Sequence, residues 1–174
     1  DEFEESWTTP AAALATLRQG RGTSAVYADA GEGTMSLLAF GTTKAVARVL
    51  VEDLGLVPGN RVLLRGANSP MLAACWFAVV KAGGIAVGSM PLLRAKELTQ
   101  IATRAQVSHA LCDARLAEEL ALARPGCPTL TQVLRFNTPD ADQLEARAAT
   151  KPDGFDTVPT SKDDTCLIAF TSGT

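Results

Sequence analysis

Residues 166–174 have the sequence CLIAFTSGT, and this stretch decides the fold class. Its first five residues are apolar or small, which is typical of a β-strand buried on both faces. Thr171, Ser172, Gly173 and Thr174 follow directly and supply three hydroxyl groups and one glycine. Hydroxyl and backbone N–H groups in such a turn can converge on an anion, most often a phosphate. The stretch therefore predicts a buried strand that leads into the first half of a nucleotide-phosphate loop, in a chain that has been cut.

A second interpretation of the TSGT turn is an ordinary surface turn, because four-residue runs of this kind are common. The better-known phosphate fingerprints do not occur in the sequence: both the GxGxxG pattern of dinucleotide-binding folds and the GxxxxGK[ST] pattern of Walker loops are missing. The position of TSGT after a predicted strand is therefore what favours the phosphate interpretation.

Strand and helix patterns alternate along the chain upstream of this stretch. The predicted strands are residues 61–65, 85–87, 107–112 and 131–136, and the predicted helices are residues 43–54, 70–82, 95–105 and a segment capped by Asp113. Alternation with short loops predicts an α/β fold in which a largely parallel sheet is covered by helices. In such sheets ligands bind beyond the carboxyl ends of the strands, which is where TSGT stands.

The helix predicted for residues 70–82 has the clearest boundaries. Ser69 is a favourable N-cap, Pro70 suits the first helical position, and Gly83 follows the last turn. This helix is apolar almost all round, so we expect it to be well buried.

The chain divides into two predicted parts. Residues 1–40 are expected to form a peripheral N-terminal segment with a short helix and two strands, at residues 24–29 and 34–40. Residues 41–174 are expected to form one α/β subdomain that ends in the first half of the phosphate loop. Within it, residues 137–164 are polar and should cross the surface as loop and short helix.

Composition excludes several classes of function. The 174 residues are 47% hydrophobic, enough for a real core, and the formal net charge is −3 with no run of basic residues. Only 5% of the residues are aromatic. Binding to nucleic acid or to an anionic membrane surface is therefore not expected. The sequence contains no apolar run long enough to span a bilayer and no signal-peptide pattern, which predicts a cytoplasmic protein.

The cysteines and the histidine are not arranged as a metal or catalytic site. No two of Cys75, Cys112, Cys127 and Cys166 form a CxxC pair, and His109 has no partner at metal-ligand spacing, so no metal site is predicted. Cys75, Cys112 and Cys166 lie in apolar runs, where a free cysteine behaves as a small hydrophobic residue. Four unpaired cysteines suit a reducing cytosol. We expect His109 to be a strand-end residue rather than a catalyst.

Four basic residues lie nearest the ends of predicted strands, namely Arg61, Arg65, Arg94 and Lys96. Two interpretations stay open for them. Such residues commonly form a solvated rim, whose charges contribute little to stability. Alternatively, one of them contacts a phosphate group of a bound ligand.

Three passages together resemble the acyl-adenylate-forming enzymes, also called the AMP-binding or acyl-CoA synthetase superfamily. LGLVPGNRVLLRGANSP (residues 54–70) is similar to the family's LGL-x-PGDRV…NSP segment. AVVKAGGIAV (residues 78–87), followed by MPLL (residues 90–93), looks like its KAGAVAVP strand entry. FTSGT (residues 170–174) resembles the start of its phosphate loop, (Y/F)TSGTTGxPKG. The three matches occur in the family's order and spacing.

The chain departs from the family pattern at positions away from the chemistry. Asn60 replaces the usual aspartate, Met90-Pro91 stands near the place of a common Asn-Pro, and Met35 replaces a frequent aromatic residue. The sequence of residues 65–98 resembles most closely that of aryl-CoA ligases acting on benzoate-type acids, particularly 2-aminobenzoate.

The resemblance implies the N-terminal portion of the large domain of an AMP-forming acid–thiol ligase that uses ATP, Mg²⁺ and coenzyme A on a small aromatic carboxylate. Thr171, Ser172 and Thr174 would donate to phosphate oxygens, and Gly173 would permit close backbone approach. The catalytic residues belong to family segments beyond Thr174, so the fragment itself is expected to be inactive. A fatty-acid–CoA ligase, a peptide-synthetase adenylation domain and a non-catalytic α/β binding module remain as alternatives.

Overall fold

The structure is a computed structural model that describes residues 26–29, 34–37, 40–152 and 154–170, with side chains described from residue 42 onward. The helix predicted near the N-terminus and the residues of the TSGT turn lie outside the described residues. None of the helices in the described part of the chain has the length and hydropathy needed to cross a bilayer.

The elements follow one another in an alternating order. They are β1 (Val26–Asp29), β2 (Thr34–Leu37), α1 (Phe40–Arg48) continued by a π-helical turn (Val49–Asp53), β3 (Arg61–Arg65), α2 (Pro70–Lys81), β4 (Ile85–Ser89), α3 (Ala95–Arg104), β5 (His109–Asp113), a 3₁₀ turn (Ala114–Leu116), α4 (Ala117–Ala123), a 3₁₀ turn (Arg124–Gly126), β6 (Gln132–Phe136), α5 (Leu144–Ala149) and β7 (Leu167–Ile168).

The described strands form two sheets. β1 and β2 form an antiparallel pair, and the other five strands form one parallel sheet in the order β6-β5-β3-β4-β7. β3 lies in the middle, with Arg61 to Arg65 paired to Ile85 to Ser89 of β4 on one side and with β5 on the other. The predicted α/β class with a parallel sheet is therefore confirmed.

Helices cover both faces of the parallel sheet. Side chains alternate along β3, so Val62 and Leu64 enter the core on one face while Leu63 enters the core on the other. Three helices supply the first core and two supply the second. The first contains buried residues of α1 (Val46, Ala47), α2 (Cys75, Ala78, Val79) and α5 (Leu144, Ala148); the second contains those of α3 (Ile101, Ala102) and α4 (Leu120).

Helix α2 begins as its sequence predicts, but it is less buried than expected. The Ser69 hydroxyl accepts a hydrogen bond from the Leu72 N–H at 3.2 Å, and Pro70 is the first helical residue. The helix gives way to Gly83, whose φ of +77° is the left-handed conformation that favours glycine. Phe77, however, is 54% exposed. The helix packs on the sheet and on α1. Its remaining face stays exposed although its residues are apolar.

Several predicted boundaries shift by a few residues. The second N-terminal strand ends at Leu37, and Phe40 already belongs to α1. β5 begins at His109, two residues later than predicted, and extends to Asp113. Asp113 caps a 3₁₀ turn rather than the α-helix itself, since its carboxylate accepts from the Arg115 N–H at 3.0 Å. Loop and short helix are confirmed in the polar segment 137–164, where α5 forms.

The predicted five-residue strand buried on both faces is the largest correction. Only Leu167 and Ile168 are in β7, and these pair with Ala86 and Val87 of β4. Leu167 is 47% exposed. β7 lies at the edge of the described sheet and pairs on one side, so the layers that bury β3 do not enclose it.

Candidate functional site

The carboxyl ends of the parallel strands meet at one edge of the sheet, called here the carboxyl edge. It comprises the last residue of β3, Arg65, the residues that end β4 and β5, Ser89 and Asp113, and the residues after β6 and β7, Asn137 and Phe170. Ligands of α/β proteins collect at this edge, because the loops and helix N-termini there are free to contact them. It is therefore the candidate functional site.

Arg65 is buried at this edge, with 1% of its surface exposed. Its Nε donates to the Leu116 carbonyl at 3.1 Å and its Nη1 to the Met90 carbonyl at 3.2 Å. Its Nη2 donates to the carbonyls of Pro91 at 3.3 Å and Leu93 at 2.9 Å. Burial lowers the pKa of the guanidinium from its ordinary value. Every nitrogen of the side chain is thus engaged with backbone.

Asp113 is a second buried charged group at this edge. Its carboxylate accepts from Arg115 Nε at 2.9 Å, from Arg115 Nη2 at 2.6 Å and from Asn137 Nδ2 at 2.7 Å. The hydrogen bonds from Arg115 are the main cause that lowers the pKa of Asp113 to about 2. A carboxylate satisfied by so many donors is a structural anion and not a proton acceptor near neutral pH.

The carboxyl edge therefore has two different halves. Over β3, β5 and β6, the buried charges of Arg65 and Asp113 are satisfied by protein groups. At the end of β7 the situation differs, because Phe170 is 37% exposed and Ala169 is exposed as well. The part of the carboxyl edge reached by β7 therefore has surface open to a ligand.

The predicted phosphate-binding residues Thr171, Ser172, Gly173 and Thr174 lie outside the described residues. What the structure places is the strand before them. β7 runs parallel to β4 and reaches the carboxyl edge at Phe170, so the chain arrives at the edge that the sequence pattern requires.

The opposite, amino edge carries an open cleft of about 530 Å³ beside the starts of β3, β4 and β7. Its lining includes Gly59, Gly84, Lys162 and Cys166. The cleft lies at the starts of the parallel strands and Phe170 lies beyond the end of β7, so the two are at opposite edges of the sheet. It is therefore not the place where a loop following β7 would hold a phosphate.

Two of the three cysteines predicted to pack in apolar runs, Cys75 and Cys112, are buried free thiols. Cys127, which lies outside those runs, is also a buried free thiol. Burial raises the pKa of Cys112 to about 11 and raises that of Cys75 further, which keeps both protonated and unreactive. The expectation of a packed thiol is wrong for Cys166, which is exposed because it precedes the edge strand β7.

His109 is a buried strand-end residue, as predicted. Its Nε2 lies 3.0 Å from the Leu54 carbonyl, and its Nδ1 lies 2.8 Å from the Ser108 hydroxyl. The carbonyl can only accept, so Nε2 carries a proton, and both ring nitrogens are engaged. This histidine ties β5 to the turn that follows α1.

The four basic residues near strand ends fall into different environments. Arg94 is 78% exposed and pairs with Glu119 at 2.8 Å, and Lys96 is also exposed, as a solvated rim would be. Arg61 is half-buried at the amino edge. The rim interpretation is wrong for Arg65. Its burial depends on carbonyl groups that lie far away in the sequence, those of Met90, Pro91, Leu93 and Leu116.

Among the described residues, no group of three or more His, Cys, Asp or Glu side chains could hold a metal ion.

Comparison with known protein families and sequences extends the assignment beyond fold. The family model described as "AMP-binding enzyme" matches residues 41–174. A benzoate–CoA ligase of Thauera aromatica is 28% identical over 158 residues, which is 90% of this chain and 30% of that protein. The chain therefore spans less than a third of the length of that relative.

Solved structures show the same arrangement. ATP-bound MatB from Rhodopseudomonas palustris superposes with a TM-score of 0.68 at 27% identity, over 92% of this chain and 32% of that one. The anthranilate CoA ligase AuaEII in complex with anthranoyl-AMP gives a TM-score of 0.72 at 19% identity, over the same shares, and is a likeness of fold. Since the family model covers all five strands of the parallel sheet, this chain belongs to the AMP-binding enzyme family.

Proposed function

We propose that the whole protein is an AMP-forming acid–thiol ligase and that this chain is the N-terminal part of its large domain. Residues 1–40 are then the peripheral segment and residues 41–174 the subdomain that carries the start of the phosphate loop. The proposal rests on membership of the AMP-binding enzyme family.

One observation carries the proposal beyond membership. β7 runs parallel to β4 and brings the chain to the carboxyl edge at Phe170, and the next four residues in the sequence are Thr-Ser-Gly-Thr. Small hydroxyl residues and a glycine at that edge suit the oxygens of a phosphate chain. Thr171, Ser172 and Thr174 are proposed as donors, and Gly173 as the point of close backbone approach.

The proposed chemistry has two steps. In the first, a carboxylate oxygen attacks the α-phosphorus of ATP, forming an acyl–AMP anhydride, and pyrophosphate leaves with the electron pair of the broken P–O bond. In the second, the thiol of coenzyme A attacks the acyl carbon, loses its proton and expels AMP. Carboxylate and triphosphate repel each other, so donors to the phosphate oxygens lower the barrier of the first step.

A bound Mg²⁺ would neutralise phosphate charge during the first step. This chain's own contribution is the donor-rich sequence that follows β7, the edge strand of a sheet whose centre is packed on both faces. The groups that bind adenine, activate the acid and coordinate the metal are proposed to lie in other parts of the protein. The isolated chain is accordingly predicted to lack activity.

We propose a small aromatic carboxylate, benzoate or 2-aminobenzoate, as the acid substrate. Two observations support this choice: the resemblance of residues 65–98 to aryl-CoA ligases, and the similarity to a benzoate–CoA ligase over 90% of the chain. We also propose a cytoplasmic location, supported by the buried free thiols of Cys75, Cys112 and Cys127, which suit a reducing compartment.

The test is ATP–pyrophosphate exchange by the full-length protein with a panel of acids. We expect exchange to depend on benzoate or 2-aminobenzoate and to be weaker with long-chain fatty acids and amino acids. Preference for a long-chain acid or an amino acid would replace the aromatic assignment while keeping the ligase. Absence of exchange with every acid would contradict the ligase and favour a non-catalytic binding module.

A further inference from the structure

One wall of the amino-edge cleft is a segment called here the arch, Val158 to Cys166, which is bound to the sheet layer at both of its ends. The Val158 N–H donates to the carbonyl of Lys81, at the end of α2, at 3.0 Å. The carbonyl of Cys166 accepts from the N–H of Ala86, on β4, at 2.9 Å. Residues 159–165 between these two bonds are exposed, so the middle of the arch is not packed against the sheet.

The middle of the arch keeps its shape through its own hydrogen bonds. The Ser161 N–H donates to the Asp164 carboxylate at 2.8 Å, and the Asp164 N–H donates to the Ser161 carbonyl at 3.1 Å. The arch is therefore a self-supported turn with two fixed ends, and the space beside it is present before any ligand binds.

The wall that faces the arch is made largely of glycine backbone. Gly59, Gly83 and Gly84 line the cleft there. The Gly59 N–H donates to the Gly83 carbonyl at 2.9 Å, and the Ile85 N–H donates to the Asn60 carbonyl at 2.8 Å. These bonds fix the turn before β3 against the turn before β4. The rigid wall leaves a volume of about 530 Å³, which is within the range of small-molecule sites.

The lining of the cleft combines apolar surface with one cation. Lys162 is the positively charged residue among the lining residues, and it is exposed. Within the described part of the chain, its ammonium group makes no ion pair. The apolar lining residues are Pro58, Val80, Ile85 and Pro159. A ligand with an apolar body and one anionic group matches this lining, because the body gains by leaving water and the anion pairs with the ammonium.

The charge of the other ionisable side chain in the lining does not favour a cation equally. The Asp164 carboxylate is already an acceptor inside the arch, since it binds the Ser161 N–H. Lys162 is thus the charged lining group that is left to meet a ligand.

We propose that the amino-edge cleft is a binding site for a small carboxylic acid with an apolar body. The site is separate from the proposed phosphate loop, because the cleft lies at the starts of the parallel strands and the loop follows the end of β7. It goes beyond the proposed ligase and does not depend on it.

The experiment uses Cys166 as a reporter inside the cleft. Cys166 lines the cleft and is exposed, whereas Cys75, Cys112 and Cys127 are buried. The full-length protein is treated with iodoacetamide, a neutral reagent, in the presence of benzoate or of benzyl alcohol, which carries the same ring without the charge. Mass spectrometry of the peptide that contains Cys166 gives its rate of alkylation.

We expect about 10 mM benzoate to slow the alkylation of Cys166 about tenfold, as a site with a Kd of about 1 mM would. Half-protection by benzyl alcohol should need about two- to fivefold more ligand, because an ion pair partly in water contributes modestly. Lys162→Ala should weaken protection by benzoate by the same factor of about two to five. Lys96→Ala is the matched control, an exposed lysine on α3 outside the cleft, and should leave protection unchanged.

Absence of protection by benzoate would overturn the proposal. Equal protection by benzyl alcohol, or an unchanged response in Lys162→Ala, would also overturn it, since the lysine would then select no acid. So would a Cys166 that is as unreactive as the buried cysteines without ligand, because the rest of the protein would then fill the cleft. Protection without pyrophosphate exchange would contradict the ligase alone, and exchange without protection would contradict the cleft site alone.

Discussion

The middle of the parallel sheet and its β7 edge are made of similar residues and have different surroundings. RVLLR in β3 and CLIAF around β7 are both mainly apolar, yet Leu63 is fully buried and Leu167 is 47% exposed. β3 has a strand on each side and helices on both faces, whereas β7 pairs with β4 alone among the described strands. An apolar run thus specifies a strand, while burial is decided by the elements around it.

The largest expected contrast is between truncations at these two places. In the 174-residue chain, Leu63→Ala should lower the free energy of unfolding by about 2–5 kcal/mol, because it leaves a cavity in a closed core. Leu167→Ala should cost under about 1 kcal/mol, because its side chain is already half in water. Urea denaturation of both variants measures the difference. Equal costs would show that β7 is as enclosed as β3.

The carboxyl edge offers a second contrast, between a buried carboxylate that accepts several hydrogen bonds and a carboxylate exposed to solvent. Asp113→Asn should lower stability at neutral pH by about 1–2 kcal/mol, since a buried carboxylate loses its bonds from Arg115. Asp140→Asn is the control, because Asp140 pairs with Arg135 in solvent and is 51% exposed. Its cost should stay below about 0.5 kcal/mol.

The pH dependence of the unfolding free energy tests the contribution of the Asp113 carboxylate. The folded-state pKa of Asp113 is about 2, below its ordinary value of 3.8. Its contribution is therefore complete above about pH 4 and is lost as the pH falls through about 2. Asp113→Asn should flatten the stability profile between these values, which equilibrium unfolding at several pH values measures. An unchanged profile would contradict the assignment of that pKa shift to the native state.

The smallest expected effect concerns the N-cap of helix α2, which packs on one face of the parallel sheet. Ser69→Ala should cost about 1 kcal/mol, because the Leu72 N–H at the start of α2 loses its acceptor. Ser69→Asp keeps an acceptor at this position and should retain most of the stability. Thermal unfolding of the two variants provides the comparison. A serine-to-alanine change without effect would show that the cap contributes nothing here.

The sequence predicted what depends on local pattern. The alternation of elements, the Ser69-Pro70 start of α2 and the small helix in the polar segment are all confirmed, because they follow from capping, periodicity and turn residues close in the chain. The family followed from motifs in a fixed order and is confirmed by the family model.

Features that depend on distant residues could not be predicted in this way. Phe77 is exposed on an apolar helix, and Cys166 is exposed just before an apolar strand, because neighbours in three dimensions decide what covers them. The burial of Arg65 depends on the carbonyl groups of Met90, Pro91 and Leu93, which lie 25 to 28 residues further along the chain. No local pattern encodes such a contact.

We propose that the residues following β7, Thr171 to Thr174, bind the phosphates of ATP at the carboxyl edge. The most direct measurement is ATP–pyrophosphate exchange by the full-length protein carrying Thr171→Val with Ser172→Ala, against Thr165→Val with Ser161→Ala, the same residue types near the amino edge. We expect a loss of about 100-fold or more in kcat/KM for ATP with the first pair, and no more than about a twofold change with the control pair. Equal activity of both double variants would contradict it.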